Sequence, residues 1–177
     1  MAVKYEITEE QKRAIETARK KNKDKRIADT LPPGKDLTAY TDGSWRPQLP
    51  DCFGYGLAVF EDPKEAIMTR HGLVTDNPEM AKTRNVAGEI KAAISAINLA
   101  VELRAKSLTI YHDYQGIAKW ADGLWKTNNE YTRSYQNFVR LMRRKIDVKF
   151  VHVKGHSGDE FNELADALAN KGYEGLL

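Results

Sequence analysis

The hydrophobic period of this chain switches from strand to helix only after three strands have gone by, and that order limits the folds open to it. Leu37 to Trp45, Gly54 to Phe60 and Ala66 to Val74 are short runs rich in β-branched, aromatic and apolar residues, separated only by Pro-containing turns. Such runs read as strands, and strands joined by short turns pair antiparallel as a meander. From Val86 the period becomes helical, with Val86, Ile90, Ala93, Ile94, Ile97 and Val101 on one stripe that ends near Leu103. Strand and helix then alternate: a strand over Leu108 to Asp113, helices over Gly116 to Trp125 and Glu130 to Lys145, a strand over Val148 to Val153, and a last helix. Strands separated by helices pair in parallel. The expectation is an α/β fold with one mixed sheet, a meander on one side and parallel strands on the other.

Four carboxylates fall at informative places in that pattern. Asp42 closes the first strand in Tyr40-Thr-Asp-Gly-Ser44, and Asp113 stands at the end of the fourth. Ligands of open α/β sheets gather outside the carboxyl ends of parallel strands. Glu89 lies in the first turns of the long helix, three residues after Val86 and four before Ala93. Asp166 lies on the last helix, whose buried face is Phe161, Leu164, Ala165 and Leu168; the wheel turns Asp166 away from that face, alongside Asn162, and by itself predicts a solvated Asp166. Ser157 and Glu160 have the spacing of a capping box for this helix. Taken singly these acids have plain explanations, an Asp-Gly turn for Asp42 and the positive end of a helix dipole for Glu89. Taken together, carboxylates at one sheet edge repel unless a divalent cation sits among them. Oxygen ligands without a cysteine or histidine pair favour Mg²⁺ or Mn²⁺, and two such ions about 4 Å apart suit in-line displacement at phosphorus.

The motifs that carry these acids resemble those of type 1 ribonuclease H. The matching residues are Tyr40-Thr-Asp-Gly-Ser44 with Gly54-Tyr-Gly56, Asn85-Val-Ala-Gly-Glu89, Ile110-Tyr-His-Asp113, and Lys154-Gly-His156 with Asn162-Glu163-Leu-Ala-Asp166, over about Asp36 to Gly172. The resemblance implies the ribonuclease H-like fold, a five-stranded mixed sheet of order 3-2-1-4-5 with helices on both faces. It implies that Asp42 is shared by two Mg²⁺ ions, with Mn²⁺ as an alternative metal. Asp166 would complete the ion that activates water, and Glu89 and Asp113 would hold the ion at the leaving 3′ oxygen. His156, ten residues before Asp166, would be the loop histidine that helps product depart.

The same resemblance implies an RNA/DNA hybrid as substrate. Asn85 matches a position that reads the 2′-hydroxyl, the group by which a protein tells RNA from DNA. Arg84 beside it is placed for a phosphate, Trp120 matches an aromatic that faces the DNA strand, and Gly43, Ser44 and Asn162 complete the expected substrate-binding set. Two features depart from the family: Tyr114 follows Asp113 where Ser is common, and the Trp125 to Tyr131 connection is too short for the basic protrusion that grips the hybrid in some members. The competing readings are a DNA-cleaving transposase or integrase of the wider superfamily, and a nucleic-acid-binding module with a decayed site. The Lys-Gly-His loop argues against the first and four intact carboxylates against the second.

Composition decides less. The net charge of +3 is concentrated at the N-terminus: residues 1–35 hold ten Lys/Arg against six Asp/Glu, leaving 18 against 19 in the rest. Arg19 to Arg26 has six basic residues in eight, and Leu31-Pro-Pro-Gly34 breaks the pattern. Residues 1–35 are therefore expected to be a basic helical extension and linker, and 36–177 the ribonuclease H domain. No apolar run reaches the roughly 18 residues of a membrane span. The single cysteine, Cys52, fits a reducing compartment, and a cytoplasmic monomer without a membrane or evident protein partner is expected.

Overall fold

The computed structural model describes residues 9–10, 13–14, 34–62, 65–155 and 158–176. Five strands form one sheet: β1 (Asp36–Ser44), β2 (Phe53–Asp62), β3 (Glu65–Val74), β4 (Ser107–His112) and β5 (Asp147–His152). Their order is β3-β2-β1-β4-β5, as the resemblance implies. β1 pairs antiparallel with β2, placing Asp42 opposite Gly56, and parallel with β4, placing Ala39 opposite Ile110. The sheet changes its pairing mode on the central strand, and that strand carries Asp42.

The helices are α1 (Asn85–Glu102), α2 (Gly116–Ala121), α3 (Glu130–Met142) and α4 (Glu160–Lys171), with a single helical turn at Pro78–Ala81. The two-residue alternation of β2 sorts its side chains between two cores. Leu57 and Val59 join Leu37, Ala39, Ile90, Ile97, Leu108 and Ile110 under α1 to α3. Ala58 and Phe60 join Tyr40, Leu164, Ala165 and Leu168 under α4. Each fully buried Leu or Ile contributes about 1.5–3 kcal/mol, so both faces hold the sheet. Ala14 packs against the α4-side cluster, which ties that point of the N-terminal segment to the domain. The basic run 19–26 lies outside the described residues.

Three helical boundaries differ from the sequence expectation, α3 ending at Met142 rather than Lys145. The segment expected to run from Gly116 to Trp125 stops at Ala121, because Gly123 adopts φ +73° and the Leu124 and Trp125 amides both turn back to the Lys119 carbonyl. That glycine-terminated ending is cheap for a residue without Cβ, and it leaves Leu124 exposed. The last helix is capped by Asp159, whose Oδ1 accepts from the amides of Phe161 and Asn162 at 3.1 Å. The Ser157 of the expected capping box lies outside the described residues.

Candidate active site

Two of the four acids meet because their strands are neighbours. Asp42 is near the carboxyl end of β1 and Asp113 directly follows β4, its parallel partner. Glu89 reaches them because glycines let α1 press onto the strand ends. A Cβ on Gly43 would lie 2.7 Å from the Asn85 carbonyl oxygen, and one on Gly88 would lie 2.7 Å from the Gly43 Cα. No side chain fits at either position without moving the helix. Asp42, Glu89 and Asp113 consequently offer carboxylate oxygens within 4.8 Å of one another.

Asp42 and Glu89 are both buried, and Glu89 Oε2 has no hydrogen-bond partner among the described residues. Burial first, and then the negative charge of Asp113 and Asp166 on Asp42 and of Asp42 and Asp113 on Glu89, push the carboxyl of each well above the usual range, although contact with Glu89 works the other way on Asp42. Asp42 Oδ1 accepts from the Gly43 amide at 2.8 Å, which offsets little of this. Three acids crowded in this way, one with an orphaned oxygen, fit hard divalent cations. Asp42, Glu89 and Asp113 would hold such an ion, with Asp166 able to contribute from the same cleft.

The backbone behind Asp113 is held on both sides. His112 Nδ1 donates to the Tyr114 carbonyl at 2.9 Å and His152 Nε2 donates to the Asp113 carbonyl at 3.0 Å. The buried His112 ring is held below the ordinary histidine range, chiefly by desolvation. A Cβ on Gly155 would come 3.3 Å from Asp113 Oδ2, so the Lys154-Gly155 loop passes beside the carboxylates. His156 itself lies outside the described residues.

These groups line a cleft of about 530 Å³ bounded by Asp42, Gly43, Ser44, Trp45, Thr83, Arg84, Asn85, Val86, Glu89, Asp113, Tyr114, Asp166 and Asn170. Asp166 is thus not the freely solvated residue of the helical wheel; it is partly buried in the cleft wall. Arg84 has φ 59° and ψ −128°, a backbone conformation that favours glycine, and its guanidinium sits 5.2 Å from the Trp45 ring centroid. Gly43, Arg84 and Asn85 of the expected substrate-binding set line the cleft. Ser44 also does, but its hydroxyl already donates to the Ala169 carbonyl at 2.5 Å. Trp120 and Asn162 do not line it. Trp120 is only 9% exposed, packed against Tyr114 and Trp125, and the accessible indole is Trp125 at 39%. Asn162 is 3% exposed, with its Oδ1 unpartnered among the described residues. Sequence reasoning did not single out Trp45 or Asn170, and it noted Tyr114 only as a departure. Asn170 had a signal, because it stands one helical turn after Asp166.

The family model for RNase H matches residues 34–174, which include all four acids. This chain belongs to the ribonuclease H family. It is 34% identical over 150 residues to the ribonuclease H of Chromobacterium violaceum, covering 77% of this chain and 94% of that one. It is 29% identical over 151 residues to ribonuclease H1 of Rattus norvegicus, covering 78% of this chain and 50% of the rat protein. The RNase H1 structure from Halobacterium salinarum superposes with a TM-score of 0.65 at 24% identity, over 77% of this chain and 96% of that one. LC11-RNase H1, solved in complex with an RNA/DNA hybrid, gives 0.60 at 17% identity, over 76% and 97%. The ribonuclease H fold is therefore shared, including the order of its five strands.

Proposed function

We propose that this ribonuclease H is a divalent-metal-dependent endonuclease that cuts the RNA strand of RNA/DNA hybrids, leaving 5′-phosphate and 3′-hydroxyl ends. The observation that carries the reading is the Asp42, Glu89 and Asp113 cluster within 4.8 Å, with one carboxylate oxygen buried and unpartnered at the floor of an open cleft. Family membership supports it, as does the RNA/DNA hybrid bound by the LC11 relative.

Two Mg²⁺ ions, or Mn²⁺, would supply a water of lowered pKa and charge neutralisation at the scissile phosphate and leaving oxygen. The chain's own residues do the rest. Asp42 would be shared between the ions, Asp166 would serve the water side, and Glu89 and Asp113 the side of the 3′ oxygen. Asn85, exposed at the start of α1 and lining the cleft, would hydrogen-bond a 2′-hydroxyl. Arg84, stacked on Trp45 at the same rim, would take a phosphate. His156 would aid departure of the product. A cytoplasmic monomer acting on hybrid without a membrane is the setting we propose.

Incubating labelled hybrid, duplex DNA and duplex RNA with and without Mg²⁺ tests the reading. Hybrid RNA should be cut only with the cation. Equal cutting of duplex DNA, or cutting in chelator, would overturn it.

A further inference from the structure

The loop that leaves Asp42 reaches both helices that carry acids across the sheet from it. Trp45 stacks under Arg84, the residue before α1, while Arg46 turns the other way to α4. The Arg46 guanidinium lies 4.9 Å from the centroid of the Tyr173 ring and donates to Asn170 Oδ1 at 3.1 Å. Asn170 Nδ2 donates to the Asp166 carbonyl at 2.9 Å and to Asp166 Oδ1 at 3.4 Å.

The direction of that chain is fixed by what each group can do. A side-chain amide has nearly the same shape either way round, so its orientation follows its partners. Arginine has donors and no acceptor, so Arg46 holds the Asn170 oxygen toward itself and leaves the NH₂ facing Asp166. With the amide reversed, an oxygen would face the Asp166 carbonyl and carboxylate. Asp166 is set apart from the other acids. It lines the cleft but stands outside the 4.8 Å cluster, and its helix is a separate element on the other face of the sheet.

We propose that Arg46 and Asn170 are positioning residues for Asp166, orienting its carboxylate before a cation arrives; this rests on the metal-dependent reading above. Partners of this kind orient metal-ligating carboxylates, and their removal costs about 10- to 100-fold in metal affinity or activity.

The test compares the full chain with Arg46→Ala, Asn170→Ala, the double variant and Arg46→Lys. Mg²⁺ and Mn²⁺ binding would be followed by calorimetry and by thermal stabilisation of hybrid-free protein, and cleavage by turnover against Mg²⁺ and against hybrid. Each Ala variant should raise the half-saturating Mg²⁺ concentration about tenfold. The double variant should do no worse than the weaker-binding single, because the two residues act through one hydrogen bond. Arg46→Lys, still a donor without an acceptor, should restore part of the affinity, and KM for hybrid at saturating Mg²⁺ should not change. If Arg46→Ala unfolds the chain by removing the stack on Tyr173, Asn170→Ala and Arg46→Lys carry the comparison. Unchanged Mg²⁺ affinity in those variants overturns the proposal, as does a raised KM for hybrid with unaltered metal dependence, which would make Arg46 a substrate-binding residue. No Mg²⁺ response from the unaltered chain would overturn the metal reading itself, and the proposal with it.

Discussion

Replacing Asp42 by Asn should abolish cleavage and yet stabilise the metal-free protein. The substitution keeps the size of the side chain and an oxygen to accept the Gly43 amide, so the turn at the end of β1 survives. What disappears is one charge of a crowded set. At 4.8 Å and an effective dielectric of about 20, two unit charges repel by about 3 kcal/mol. The net gain is smaller than the bare pair repulsion wherever a shared proton eases it, as the raised carboxyls of Asp42 and Glu89 favour. Both carboxyls are raised in the folded protein, so their contribution to stability is fully present below the unfolded carboxylate range and is lost as pH climbs toward the folded values. The advantage of Asp42→Asn should accordingly be small near pH 4 and grow toward neutrality. A chain of this size gains about 2–4 °C in Tm per kcal/mol, so a rise of several degrees is expected near pH 7 in chelator. Added Mg²⁺ should reverse the ranking, stabilising the unaltered chain and leaving the variant nearly unmoved. Thermal unfolding at four or five pH values, with chelator and with Mg²⁺, reads all of this. A variant that melts below the unaltered chain in chelator, or that keeps its Mg²⁺ response, would refute the electrostatic account of the site.

Gly88→Ala should destabilise the fold by about 1–3 kcal/mol in denaturant titrations, because its methyl would lie 2.7 Å from the Gly43 Cα and must push α1 off the strand ends. Turnover should fall by more than the stability loss explains, since Glu89 moves with the helix. His156→Ala should lower steady-state turnover while leaving the single-turnover rate largely intact; an equal fall in both would give that histidine a part in the chemical step. Deleting residues 1–35, a net +4, should spare the chemistry and weaken hybrid binding. Measured in Ca²⁺ over a salt series, the slope of log affinity against log salt should become shallower by about 0.7–0.9 for every phosphate that the deleted segment had neutralised.

Much of this architecture is legible in the chain because it rests on local pattern. The switch of period after Val74 separates meander from parallel half, and Asp42 and Asp113 are marked by strand ends. Gly123 shows where periodicity misleads: Ile117, Trp120 and Leu124 keep helical spacing, but a glycine in the left-handed region ends the helix before Leu124 is reached. Asp166 shows a different limit. A helical wheel knows one buried face, whereas α4 crosses a sheet whose strand ends open into a cleft, so a residue off the core stripe can still be enclosed. The hydrogen bond from Arg46 to Asn170 spans 124 positions, and no local rule joins them. Asn85 became legible only through motif likeness and Arg84 only as the basic residue beside it, where the family often has Thr, because a strained residue before a helix leaves no mark in hydropathy.

The placement of α4 has a consequence for when this nuclease can act. β1, β2 and β4 leave the ribosome long before Glu160–Lys171 does, yet Tyr40, Ala58 and Phe60 share their cluster with Leu164, Ala165 and Leu168 of that helix. A nascent chain that has finished the sheet still lacks Asp166 and one of its two cores. With the role proposed for Asp166, nucleolytic competence would arrive only once α4 has been made and docks, and ribosome-held chains halted before residue 160 should be inactive.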